Sequence, residues 1–315
     1  MTNSDSSSSN SYSQSANPLL GIGLLVLAEF FFASMDSIGK LLGTQEVPVP
    51  VVVWGRYAFH LGFMTMFFIG PRFKTLFQIN RWGLVLLRGC QLLAATTVFF
   101  TAIRYIPLAE AVAIGFAAPL FTVALSVPLL KEQVGIRRWS AVIIGFIGVM
   151  VIVRPGFGEF HFAHGLMILL AFIFATFTIN TRVLTRTEGT MPMLFFTALL
   201  GTAGASCVVP FFWQTPTLEQ WFWLAAMGAI GGFSHMLLIQ AYRVASTSLL
   251  APFQYAQIIF AGFYGWLIFQ EIPDNYVIVG AGIVVASGLY IIKREAELNR
   301  QNRPVQPASD ASPQP

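Results

Sequence analysis

The chain has 315 residues, of which 56% are apolar and only 10% charged, where a soluble domain carries roughly a quarter charged residues; no water-soluble core of this length covers that much apolar surface. Mean hydropathy is +0.69, and the formal charge of +4 comes from basic residues scattered singly rather than gathered on one face, which excludes a nucleic-acid groove. Cys90 and Cys207 both fall inside apolar segments, so neither an oxidised scaffold nor a thiolate metal site is expected.

Residues 1–18 are rich in Ser and Asn and contain no Lys or Arg, so they lack the basic start of a signal peptide and read as a disordered tail. Ten apolar segments then reach or approach the roughly 20 residues that a hydrocarbon core demands. They span approximately 19–42, 49–70, 82–104, 109–130, 135–154, 163–183, 191–212, 218–241, 247–269 and 276–293. Short connections make neighbours antiparallel, and breaks such as Gly70-Pro71-Arg72 and Arg154-Pro155-Gly156 end them. Residues 295–315 are polar and Pro-rich, and read as a second disordered tail.

Alternate loops differ sharply in basic residues. Of the 18 Lys and Arg, thirteen lie on the side of the N-terminus, Lys40, Arg104 and Arg154 lie on the other, and Arg56 and Arg88 sit inside helices. The asymmetry places both termini in the cytoplasm of a multi-pass protein, with the bacterial inner membrane as the expected location.

Residues 104–132 recur as residues 243–271. Aligned without gaps, Arg104 falls on Arg243, Phe116 on Tyr255, Phe121 on Phe260 and Glu132 on Glu271, while Arg154 falls on Lys293. The first helices align Ala33 on Ala175 and Lys40 on Arg182, and the second align Pro50 on Pro192. An odd number of spans per half sends the second half in from the opposite side, so the repeats are inverted. The expected fold is an all-α integral membrane protein, ten transmembrane helices as two inverted five-helix repeats over residues 19–154 and 163–294, joined by a linker at 155–162.

The pattern resembles the drug/metabolite transporter superfamily, in particular the EamA type with two EamA repeats. The resemblance rests on Phe31-Phe32-Ala33 with Asp36 and Lys40, Trp54-Gly55-Arg56-Tyr57, Leu87-Arg88-Gly89, Pro107-Leu108-Ala109-Glu110-Ala111, Ala118-Pro119-Leu120, Lys131-Glu132 and Gly145-Phe146-Ile147-Gly148-Val149. In the second half it rests on Ala251-Pro252-Phe253-Gln254-Tyr255, Glu271-Ile272-Pro273-Asp274 and Ala286-Ser287-Gly288-Leu289-Tyr290. It implies secondary transport of a small polar or amphipathic metabolite by alternating access, a mechanism that runs both ways according to the gradients, with export slightly favoured here. The substrates of such proteins include amino-acid-like compounds, opine metallophores, riboflavin-like and nucleoside-like compounds and S-adenosylmethionine; these motifs do not choose among them.

An ionisable residue in the hydrocarbon zone is costly unless paired or facing water, so each one marks a candidate site. Glu29, Asp36 and Lys40 are spaced by seven and four on one face of the first helix, Arg56 and His60 share a face of the second, and Arg88 and Gln91 share one of the third. A rise of about 1.5 Å per residue puts Arg56 roughly 10 Å below the outer boundary, level with Asp36, which makes those two an expected pair. Glu110 opens the fourth helix, either in the substrate path or as a carboxylate serving the helix dipole. Arg88 lies in the path or snorkels to headgroups. The second half offers Gln254, Tyr255 and Gln257 beside Pro252, as site residues or as interhelical glue.

Metalloprotease, P-loop and nucleophile-elbow motifs are all missing from the sequence, as are Cys/His clusters, so no enzyme, cofactor or metal is expected. Coupling would then fall to Glu29, Asp36 and Glu110 as proton carriers. A small-molecule substrate and the bilayer are the expected partners, with no nucleic acid, in a monomer or homodimer. The competing classes are an integral-membrane enzyme, which needs a catalytic cluster at one interface, and a scaffold or sensor, which needs a sizeable soluble domain.

Overall fold

A computed structural model describes residues 18–68, 76–130, 134–155, 161–245 and 247–301. The anchor Lys131-Glu132 and parts of the expected breaks and tails lie outside the described residues. Within them the chain is helical and carries no strand, as expected where lipid offers the backbone no hydrogen-bond partner.

The elements are α1 (Pro18–Thr44), α2 (Val49–Phe68), α3 (Trp82–Ala102), α4 (Leu108–Gly115), α5 (Ala118–Leu130), α6 (Ile136–Val153), α7 (Phe162–Leu184), α8 (Thr190–Val208), α9 (Leu218–Val244), α10 (Thr247–Leu250), α11 (Ala256–Phe269) and α12 (Asn275–Gln301). Helices α4 and α5 together make one span, and α10 and α11, joined by a 3₁₀ turn at Ala251–Tyr255, make another, giving ten. Eight of these are long and apolar enough by themselves to cross a membrane. The other two are α2, which carries Arg56 and His60, and the broken α10–α11 pair. The last helix runs on past Lys293 to Gln301.

The inverted repeat is visible in the packing. Helix α1 lies against α9 as α7 lies against α3, α2 against α9 as α8 against α3, and α1 against α11 as α7 against α5. Exchanging the halves maps this pattern onto itself. The two broken spans match as well. Pro119 lacks an N–H and its ring collides with the carbonyl four residues back, which is where α4 ends at Gly115. Pro252 opens the matching 3₁₀ turn. At the breaks the aligned residues Phe116 and Tyr255 meet each other, ring centroids 4.8 Å apart, so the pseudo-two-fold axis passes between them.

The seam between α6 and α12 is set by glycine. A Cβ on Gly280 would stand 2.7 Å from the Gly148 carbonyl oxygen and 2.5 Å from Ile152 Cγ1, so the two backbones approach as only small residues allow. Away from the seams, apolar side chains such as Ile143, Ile259 and Ile278 are exposed, which suits a surface solvated by lipid. We call the two ends of the bundle the near mouth, at the level of Pro18, and the far mouth, at the level of Thr44.

Candidate substrate chamber

Helix α1 carries the acidic wall. Glu29, Asp36 and Lys40 are each buried, on one face as their spacing predicts. Asp36 Oδ2 accepts a hydrogen bond from Gln257 Nε2 at 3.1 Å, joining the first half of the chain to the second. Gln257 stands at the head of α11 because the turn at Pro252 restarts the helix there. Glu29 makes no hydrogen bond or ion pair with the described residues; Asp36 and the Tyr242 hydroxyl lie within electrostatic range of it. Gln254 donates to that hydroxyl at 2.9 Å, so it does not pair with Gln257.

Lys40 belongs to the far mouth. Its Nζ donates to Glu271 Oε1 at 2.5 Å and to the Ile106 carbonyl at 3.0 Å, while Glu271 Oε2 accepts the unused Leu108 N–H at the head of α4, 3.2 Å away. One carboxylate thus ties α1, the α3–α4 corner and the α11–α12 corner together. Glu271→Gln should leave Lys40 buried without its counter-charge and lower stability by about 3 kcal/mol, read as a drop in Tm of the detergent-solubilised protein. Glu297→Gln, in the more exposed pair with Arg294, should cost under about 1 kcal/mol.

The basic wall lies on α2 and α3. The expected pair of Arg56 with Asp36 is not made: no contact within 4.0 Å joins them. Arg56 Nη1 instead donates to Thr96 Oγ1 at 3.0 Å, and the Tyr57 hydroxyl shares that oxygen at 2.9 Å. The guanidinium also lies over the rings of Tyr57 and Phe100, 5.7 and 5.6 Å from their centroids. Arg88 is buried and does not snorkel. It donates to Thr181 Oγ1 (3.0 Å), the Met193 carbonyl (3.1 Å) and Thr197 Oγ1, and stacks over Phe177 at 4.6 Å. Neither arginine has a carboxylate partner among the described residues.

His60 stands 5.4 Å from His235 of α9, ring to ring, and His235 packs on Phe32. A cavity of about 20 Å³ beside them is large enough for one water. Gln91 is committed to α7, donating to Thr176 at 3.1 Å and accepting from Asn180 at 3.1 Å. The Asn180 Oδ1 and Tyr255 hydroxyl atoms are buried with no hydrogen-bond partner among the described residues.

Glu110 lies in the first turn of α4, where the helix dipole favours a carboxylate, without making a cap hydrogen bond. The α4 N-cap, Pro107, receives no side-chain bond, and Glu110 Oε1 instead meets His164 Nε2 of α7 at 2.8 Å near the far mouth. Among the described residues no cluster of three or more His, Cys, Asp or Glu could hold a metal ion. The sequence reading missed Thr96, Thr181, Thr197 and Glu271. A guanidinium has five N–H groups to satisfy, so an inward arginine implies hydroxyl or carbonyl acceptors on neighbouring helices as well as any carboxylate.

The sequence matches the model of the EamA-like transporter family over residues 19–154 and again over 161–293. It is 28% identical over 276 residues to an S-adenosylmethionine uptake transporter of Rickettsia bellii, covering 88% of this chain and 94% of that protein. It is also 28% identical over 295 residues to a riboflavin transporter of Vibrio cholerae, covering 91% and 97%. With the pseudopaline exporter CntI of Pseudomonas aeruginosa it shares 25% identity over 272 residues, covering 85% and 94%. A solved crystal structure superposes with a TM-score of 0.59 at 16% identity, covering 91% of this chain and 98% of that one; the likeness is one of fold.

Proposed function

We propose, from the premise that the chain belongs to the EamA-like transporter family, that it moves a small polar metabolite bearing both charges by alternating access of the chamber between α1, α2, α3, α9 and α11. The observation that carries the reading is the Asp36–Gln257 bond across the two halves, flanked by a carboxylate without a partner at Glu29 and by two arginines, Arg88 buried and Arg56 half-buried, that have no carboxylate bonded to them among the described residues. Charges of this kind are costly inside a membrane unless something compensates them. A substrate ammonium or sulfonium group at Asp36 and Glu29, with a carboxylate at Arg56 and Arg88, would compensate both walls at once. Relatives named for uptake and for export both match most of this chain, so we take direction to follow from the gradients. Glu29 and Asp36 are the groups that would carry a coupled proton. His60 and Tyr255 would line the chamber, and one chain supplies all of it.

Comparing metabolites inside and outside cells with and without the protein tests the reading; no difference in any charged metabolite would overturn it. The orientation we propose has the near mouth and both termini in the cytoplasm of a bacterium. Single cysteines at Ser9 and Ser312, with the exposed Cys90 and Cys207 replaced by alanine, should react only with thiol reagents that cross the membrane. Labelling by an impermeant maleimide on intact cells would reverse the orientation.

A further inference from the structure

We infer that the far mouth holds a second binding site, for a small organic cation such as a protonated amine, apart from the chamber between α1 and α11. The α3–α4 corner, the end of α6 and the start of α7 enclose a cavity of about 340 Å³, within the range of small-molecule sites. Its floor is the pair of Glu110 and His164, 7% and 4% exposed. His164 Nδ1 lies 3.0 Å from the His161 backbone nitrogen and 3.1 Å from the His161 carbonyl oxygen, and Nε2 donates to Glu110 Oε1 at 2.8 Å. Glu110 Oε2 has no hydrogen-bond partner among the described residues.

Among the described residues the other charges nearby are matched. Arg154 lines the cavity, but its guanidinium meets Asp274 at 2.6 Å and lies over Tyr276. Lys40, within electrostatic range of Glu110, is held by Glu271. What remains is one carboxylate oxygen beneath an aromatic wall, where Tyr105 stacks on His161 with centroids 5.0 Å apart and planes at 26°. Ring faces and a carboxylate both attract a cation, whereas an anion would meet Glu110 head-on and a neutral ligand would leave its charge unmatched. A metal ion is disfavoured because both His164 ring nitrogens are engaged.

A pair that only fixed helix register would bind nothing, and this separates the two readings. Benzylamine, protonated at neutral pH, should bind the full-length detergent-solubilised protein saturably and one to one by calorimetry, with benzyl alcohol of the same shape binding at least about tenfold more weakly. Glu110→Gln should weaken benzylamine by about tenfold, and Tyr105→Ala, a change at an exposed position, by about fivefold. Asp36→Asn should leave its affinity within about twofold, since no shared partner links the two sites. The absence of saturable binding, equal binding of the alcohol, or loss in Asp36→Asn with retention in Glu110→Gln would each overturn the site. None of these outcomes depends on transport.

Discussion

Asp36→Asn will abolish transport while leaving insertion and folding intact. Asparagine keeps the size of the side chain and an oxygen that can accept from Gln257, whose Nε2 lies 3.1 Å from Asp36 Oδ2, so the contact between the halves survives. Only the charge is removed, and an uncompensated charge in the membrane interior opposes folding rather than aiding it. A substrate cation that exchanged water for this carboxylate would lose an interaction of about 3 kcal/mol, a fall of about a hundredfold in initial rate at low substrate concentration. The measurement is uptake into proteoliposomes of the metabolite found by the cell comparison, with Tm as the control for folding. Gln257→Leu, alone and combined with Asp36→Asn, tests whether the two act as a unit: a double variant no worse than Asp36→Asn alone is the expected result. Transport by Asp36→Asn at the parental rate would reduce the residue to a packing contact.

Gly280→Val will separate the seam between α6 and α12. Its new Cβ would lie 2.7 Å from the Gly148 carbonyl oxygen, 2.5 Å from Ile152 Cγ1 and 3.1 Å from the Ile152 backbone nitrogen. A side chain could rotate away, but the two backbone atoms belong to a hydrogen-bonded helix and cannot. Overpacking of this kind costs about 3 kcal/mol, and the expected result is a large drop in Tm and in the yield of monodisperse protein. Gly282→Val, two residues on, is the matched control, because nothing lies within 4 Å of its Cβ. Equal damage at both positions would mean that helix propensity, not the seam, is the cause.

Much of the fold was legible in the sequence because the membrane imposes length and polarity on each span separately. Pro119 and Pro252 stand at the two broken spans, where a rule acting over four residues breaks a helix, whereas no local rule names α12 as the helix that Gly148 approaches. The site was less legible. Depth along a helix places Asp36 and Arg56 on one level, but not at one point around the bundle, and the structure gives Asp36 to Gln257 and Arg56 to Thr96. Lys40 and Glu271 are 231 residues apart in sequence, and their meeting depends on where α11 stops and α4 starts. The threonines that hold Arg88 carry no charge to distinguish them from packing residues. Glu110 does sit in the first turn of α4, but Glu271 takes the Leu108 N–H there, and the bond of Glu110 to His164 of α7 has no local signature.

The contact of Phe116 with Tyr255 has a consequence for motion. A point on a two-fold axis is carried onto itself, whereas every point off the axis is carried to its symmetry mate. If the halves exchange shapes to open one mouth and shut the other, contacts away from the axis, the Lys40–Glu271 tie among them, must give way to counterparts at the opposite end. The two aromatic rings, 4.8 Å apart, keep each other as neighbours throughout. Under such an exchange they are the fulcrum.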